Sequence, residues 1–286
     1  MTSTPNPAPR STPAVNLPAD EAWLDRVPRW LSITVIGLVA LGLWQLITSL
    51  ELISRILFPG PGETFEEIVD SALNIISGGH VAEALLITTT EVILGFLAAA
   101  ALGFTLGVVV GETKLGQTAV MPYLVAFNAL PKVAFAPVFV AWLGFGVESK
   151  IVMALFIAFF PMIVDTAAGL ASVDRDSVML FRSLEASRWK TLIKLKLPAA
   201  LPFIFAGLKT AAVFSVVGAV VGEYLGGGGG MGELVRLSAQ QLRIDRVFAL
   251  IVYLGIIGLT LFALLNWLER RIVFWRQPEA VEVASA

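Results

Sequence analysis

Six stretches of this chain run for about twenty residues or more with almost no charge. At 1.5 Å rise per residue, such a run is long enough as a helix to cross a hydrocarbon core about 30 Å thick. The predicted spans are 31–50, 84–110, 119–143, 150–171, 203–225 and 247–268. Only 15% of residues are charged and 57% are hydrophobic, whereas a soluble domain carries roughly 25% charge. The fold class is therefore all-α and integral to a membrane, with six transmembrane helices. The first run is too long for a signal-peptide core and no small-residue cleavage site follows, so it reads as a retained span.

Residues 1–20 are rich in Pro, Ser and Thr and predict a disordered tail. The domain plan is a tail at 1–29, a membrane domain at 30–275 and a second tail at 276–286. Lysine and arginine set the orientation. With the N-terminus inside, thirteen of them lie in inner segments and five in outer segments, Lys150 among the outer ones. Both termini are then cytoplasmic, and so is the loop after the fourth span. The stretch Glu51 to Glu83 lies outside. It opens on a Pro-Gly-Pro-Gly turn and continues as an amphipathic segment, Phe65 to Ile76, suited to the membrane surface.

That fourth loop, about 172–200, reads SVDRDSVMLFRSLEASRWKTLIKLKLPAA. Apolar Val178, Phe181 and Leu184 recur at helical spacing among Arg182, Arg188, Lys190, Lys194 and Lys196. It is too long and too amphipathic for a connector, and predicts one or two short helices on the cytoplasmic face, built to dock a partner.

Chemistry is sparse. No cysteine exists, which removes disulfides and thiolate sites. The one histidine, His80, sits in an outer Gly-Gly-His turn and reads as solvated. Gly226 to Gly230 is no phosphate loop, because no Gly-Lys-Ser/Thr follows. A net charge of -2 gives no basis for a nucleic-acid partner. No metal or cofactor site is predicted, and nothing here hydrolyses a nucleotide, so active transport would draw on a partner or an ion gradient. Ionisable residues within spans are costly and become functional candidates. Glu91, Lys132, Asp165, Lys209 and Glu223 qualify. Lys132 lies between Pro131 and Pro137, where freed backbone groups must face protein or water. Asn128 and Lys132 are therefore expected on a translocation path, and Glu223 near an outer gate.

From about Trp30 to Trp275 the chain resembles the membrane subunits of binding-protein-dependent ABC importers, within them the nitrate/sulfonate/taurine type. The stretches FPGPGETFEEI, LPKVAFAPVFVAWLGFGVESKI, EASRWKTLIKLKLPAALPFIFAGLK and VVGEYLGGGGGMGELV carry the likeness. The resemblance implies a type I importer permease fold and a non-catalytic subunit of the bacterial inner membrane. It implies two copies of an ATPase that binds the ATP, an extracytoplasmic solute-binding protein and a second permease copy, most simply as a homodimer. Its coupling motif is Glu-Ala-Ala, three residues, Gly, nine residues, then Ile-x-Leu-Pro. Aligned on Leu195 to Pro198, the motif's glycine falls on Glu185, and its Glu-Ala-Ala on Met179-Leu180-Phe181. Glu185-Ala186-Ser187 lies six residues later. The expectation is an ordinary helical φ at Glu185 or an altered bend. The resemblance assigns Arg182, Leu184, Glu185, Ala186, Ser187, Arg188, Trp189, Lys190 and Pro198 to ATPase coupling. The implied cargo is a small, mostly anionic solute: a sulfonate, taurine, nitrate, bicarbonate or an aromatic acid. An ion-coupled secondary transporter is the alternative, in which Glu91 or Asp165 would carry the coupling.

Overall fold

A computed structural model describes residues 28–51 and 53–275; the two predicted tails otherwise lie outside the described residues. The chain divides into two units: residues 44–277, and residues 1–43 with 278–286. The described part of the second unit is the beginning of an apolar helix, α1 (Arg29–Ser49).

The remaining helices are α2 (Pro61–Ile76), α3 (His80–Glu112), α4 (Met121–Asn128), α5 (Ala136–Leu143), α6 (Val147–Ala171), α7 (Arg175–Ser183), α8 (Arg188–Thr191), α9 (Leu197–Gly226), α10 (Met231–Gln240) and α11 (Ile244–Ile272). Among the described residues five helices are long and apolar enough to cross a membrane: α1, α3, α6, the run Arg188–Gly226 and α11. The predicted third span differs. Gly116–Asn128 and Lys132–Leu143 form a broken pair bent by 83°. The prolines thus do more than distort this span: Pro131 lacks the N–H that would carry α4 onward, and the chain restarts as a 3-10 turn, Lys132–Phe135, before α5. Counting the pair as one span makes six.

Spans α3, α6 and α9 form the core, and small residues let them approach. On α3, Gly95, Ala99, Gly103, Gly107 and Gly111 recur every fourth residue and line one face toward α6. A Cβ added to Gly95 would lie 2.4 Å from the Ala154 Cβ, and one on Gly107 2.6 Å from the Thr166 Cβ. From α9, a Cβ on Gly218 would lie 2.5 Å from the Ala154 Cα. In hydrocarbon the hydrophobic effect does not drive helices together, so close backbone contact supplies the dispersion energy that does.

Proline also shapes two of the helix starts. Two π turns, Gly116–Val120 and Leu192–Lys196, sit just ahead of Pro122 and Pro198. Each adds a residue to the turn, which moves the carbonyl that a proline ring would strike. The Leu197 N–H accordingly donates to the Leu192 carbonyl, five residues back.

Helix α2 starts where the FPGPG turn dictates. Pro61 opens the helix, and Glu63 reaches back to accept the Gly60 N–H at 3.0 Å. Its apolar stripe, Phe65, Val69, Leu73 and Ile76, is exposed. The opposite face meets α11: the Tyr253 hydroxyl donates to the Ile68 carbonyl at 2.8 Å, and Glu67 pairs with Arg243 and Arg246. His80 is not simply solvated, since its ring contacts Arg246 and lies 3.4 Å from the Asn74 amide.

Candidate coupling surface and translocation path

Helix α7 begins at Asp174, whose carboxylate accepts the Ser177 N–H at 3.0 Å. That backbone hydrogen bond holds the Asp174 carboxyl below its usual range. The helix ends in a left-handed turn centred on Glu185, at φ 55°. The Ala186 N–H donates to the Phe181 carbonyl at 3.0 Å, and the Glu185 N–H to the Arg182 carbonyl at 2.9 Å. These two bonds define a Schellman closure, with Glu185 in the place where glycine is favoured. The expected ordinary helical φ is therefore wrong. The glutamate keeps the left-handed backbone, and with it the bend, despite the steric cost of its Cβ.

Beyond the bend Ser187 caps α8, its hydroxyl accepting the Lys190 N–H at 3.2 Å. Helix α8 runs through the π turn into α9 as one element of 39 residues, Arg188–Gly226, with Pro198 inside it. The second of the short helices read from the sequence is thus the N-terminal part of a span. Leu184 and Trp189 are each 70% exposed, and Met179 and Leu180 stand exposed on α7. Arg182, Arg188 and Lys190 are exposed around them, while Ala186 is half-buried. The result is an apolar knob in a basic collar. Lys196 ties this segment to the C-terminal end of α3 through Glu112 at 2.7 Å.

The break in the third span holds the predicted path residues together. The Lys132 ammonium donates to the Asn128 Oδ1 at 2.6 Å and lies 5.1 Å above the Phe160 ring. Phe127 stacks on the same Phe160 with centroids 6.4 Å apart. Asn128 is exposed and Lys132 half-buried, at an open face of this chain.

Glu223 does not share that face. It is fully buried, with Oε1 accepting the Thr88 hydroxyl at 2.5 Å and Oε2 accepting the Gly232 N–H at 2.6 Å. The Thr88 hydroxyl oxygen in turn accepts the Met231 N–H at 2.8 Å. Glu223 therefore fastens the start of α10 to α3 and α9, and a place on an open path surface does not match its burial. The glycine run makes this possible: residues 227–230 all have positive φ, and a Cβ on Gly230 would lie 2.0 Å from the Glu223 Oε1. Lys150, read as an outer-loop cation, is also fully buried, 3.8 Å from the Glu91 carboxylate. Lys209 pairs with Glu269 of α11 at 2.7 Å, and Asp165 is half-buried on α6 beside Gly207. Sequence reasoning missed α10 and the Lys150–Glu91 pair. Met231, Leu234, Val235 and Ser238 carried a helical period that signalled α10.

A broken helix pair, a small-residue core and an exposed basic bend continuous with a long apolar helix are features of a multi-pass membrane protein. The chain belongs to the family of binding-protein-dependent transport system inner membrane components, which it matches over residues 92–274. It is similar to the formylaminopyrimidine transport permease protein ThiX of Halalkalibacterium halodurans, 33% identical over 192 residues, 67% of this chain and 77% of ThiX. It is 29% identical over 242 residues to the taurine transport system permease protein TauC of Escherichia coli, 83% of this chain and 86% of TauC. Identity to the nitrate import permease protein NrtB of Synechocystis is 29% over 240 residues, 82% of this chain and 86% of NrtB. Among solved structures, a chain of the inward-facing MetNI methionine ABC transporter shares the fold at TM-score 0.55 and 18% identity, covering 68% of this chain and 94% of that chain.

Proposed function

We propose that this ABC importer permease carries a small solute across a bacterial inner membrane, driven by ATPase subunits that dock on the α7–α8 bend. The observation that carries the reading is the mechanical continuity of α8 with α9. The apolar knob of Leu184 and Trp189 fits a groove on a partner, and the basic collar suits an acidic rim around it. Force applied at the bend reaches the core of the bundle through the single element Arg188–Gly226 and through Lys196–Glu112. Closure of two ATPases on nucleotide would bring two such bends together and rotate the spans, a rigid-body population shift. One bend per chain then calls for two permease copies, most simply a two-fold homodimer, with a solute-binding protein on the outer face. The chain itself carries out no catalysis. Relatives named for taurine and nitrate support an anionic solute, while the one named for formylaminopyrimidine widens the range.

The deciding experiment reconstitutes the chain with its ATPase and loaded binding protein in liposomes. Solute uptake that needs ATP hydrolysis and survives collapse of proton and sodium gradients is expected. Uptake that follows an ion gradient without any ATPase would replace this reading with a secondary transporter.

A further inference from the structure

Among the described residues four lysines are buried or half-buried, Lys132, Lys150, Lys196 and Lys209, while Lys114, Lys190 and Lys194 are exposed. Three are matched by a carboxylate from another helix, Glu91 for Lys150, Glu112 for Lys196 and Glu269 for Lys209. Lys132 is the exception. Among the described residues its ammonium has no carboxylate within ion-pair distance, only the Asn128 Oδ1 at 2.6 Å and the Phe160 ring face at 5.1 Å. A cation left without a counter-charge at membrane depth is expensive, and the other three positions of the same fold avoid that cost. The 83° break places this one at an open face of the chain rather than inside it, with Phe127, Leu130 and Val133 exposed around it.

We propose that Lys132 and Asn128 form a transient binding site for a singly charged oxyanion group of the solute, a nitrate, carboxylate or sulfonate. The proposal rests on the permease reading and narrows its substrate class. The donor inventory fits such a group. The ammonium has three N–H donors and gives one to Asn128, which leaves two for a ligand, and the Asn128 amide nitrogen adds two more. One fixed positive charge balances a single negative charge. A lysine holds it as a point charge on a flexible stem rather than in a bidentate fork, which suits passage better than retention. The buried Phe160 ring excludes water on one side of the ammonium, and this strengthens the charge–charge attraction.

The test uses the permease–ATPase complex in lipid nanodiscs and methanesulfonate as the probe, read by saturation transfer from protein to its methyl protons. Wild type and Lys132→Arg should give a transfer signal that sodium nitrate displaces. Lys132→Gln should reduce it to the level of empty nanodiscs. Asn128→Asp keeps the lysine but supplies the missing carboxylate, and should abolish the signal as well, so the test survives a Lys132 variant that fails to assemble. No displaceable signal from wild type, or an undiminished one from Lys132→Gln or Asn128→Asp, would overturn the site. Co-purification of the ATPase, scored first, tests the permease reading separately, because a complex that forms yet binds no anion leaves that reading standing.

Discussion

Replacing Glu185 by glycine should stabilise the coupling bend, although it removes a side chain. Glu185 sits at φ 55°, where an L-residue costs about 1–2 kcal/mol through its Cβ. Glycine escapes that cost but gives the unfolded segment more freedom, which takes back about 0.4–1 kcal/mol. The difference of the central values is a gain of about 0.8 kcal/mol. The bonds that report it are the Schellman pair, Ala186 N–H to the Phe181 carbonyl and Glu185 N–H to the Arg182 carbonyl. Amide hydrogen exchange on the reconstituted complex should show the Ala186 N–H exchanging about two- to fivefold more slowly in Glu185→Gly than in wild type. Glu185→Ala keeps the Cβ and should change little, whereas the β-branched Glu185→Val should exchange faster. Equal or faster exchange in Glu185→Gly would mean that the left-handed turn is not what shapes the bend.

Three further outcomes follow from the same geometry. Trp189→Ala removes a largely exposed ring from the knob and should weaken ATPase binding by about 2 kcal/mol, near thirtyfold in Kd, while the chain stays in the membrane; surface plasmon resonance on nanodiscs measures it. Gly218→Ala puts a Cβ 2.5 Å from the Ala154 Cα, a backbone atom that cannot swing aside, and should cost about 1–3 kcal/mol; steric trapping of unfolding in bicelles reads that loss. The Asp174 cap is pH-dependent in a defined direction. Its carboxyl is held below the ordinary value, so its support of α7 is present above about pH 4 and is lost as pH falls through the lowered value; the protection of the Ser177 amide, relative to its intrinsic exchange rate at each pH, should fall there in wild type but not in Asp174→Ala.

The membrane class and most spans were legible because a charge-free run of sufficient length has few folds open to it. The broken span was half legible. Pro131 and Pro137 announced a disturbance, but whether two prolines kink a helix or divide it depends on what stabilises each half. Here Phe135 and Phe139 cluster with Phe156 of α6, at 5.1 and 5.3 Å, and hold the second half in place. Residue type and backbone conformation parted company at Glu185. Reading glutamate as hostile to positive φ ignored the two closing hydrogen bonds that offset the strain. Charge patterning misplaced Lys150 because a lysine near a span end is open to water only if no acid on a neighbouring helix is level with it. That level, and the Glu91 partner, depend on how α3 and α6 are staggered, which no local pattern contains. The every-fourth-residue series Gly95, Ala99, Gly103, Gly107 and Gly111 lies in the sequence itself and marks the α3 face that meets α6.

The central claim is that the bend between α7 and α8 is the face that meets the ATPase. The chain has no cysteine, so Leu184→Cys offers a single attachment point for a benzophenone maleimide. Irradiation of the assembled complex should yield a covalent permease–ATPase adduct from position 184 and none from a control at Leu73→Cys on the exposed stripe of α2. An adduct absent from position 184, or equally strong from position 73, would contradict the claim.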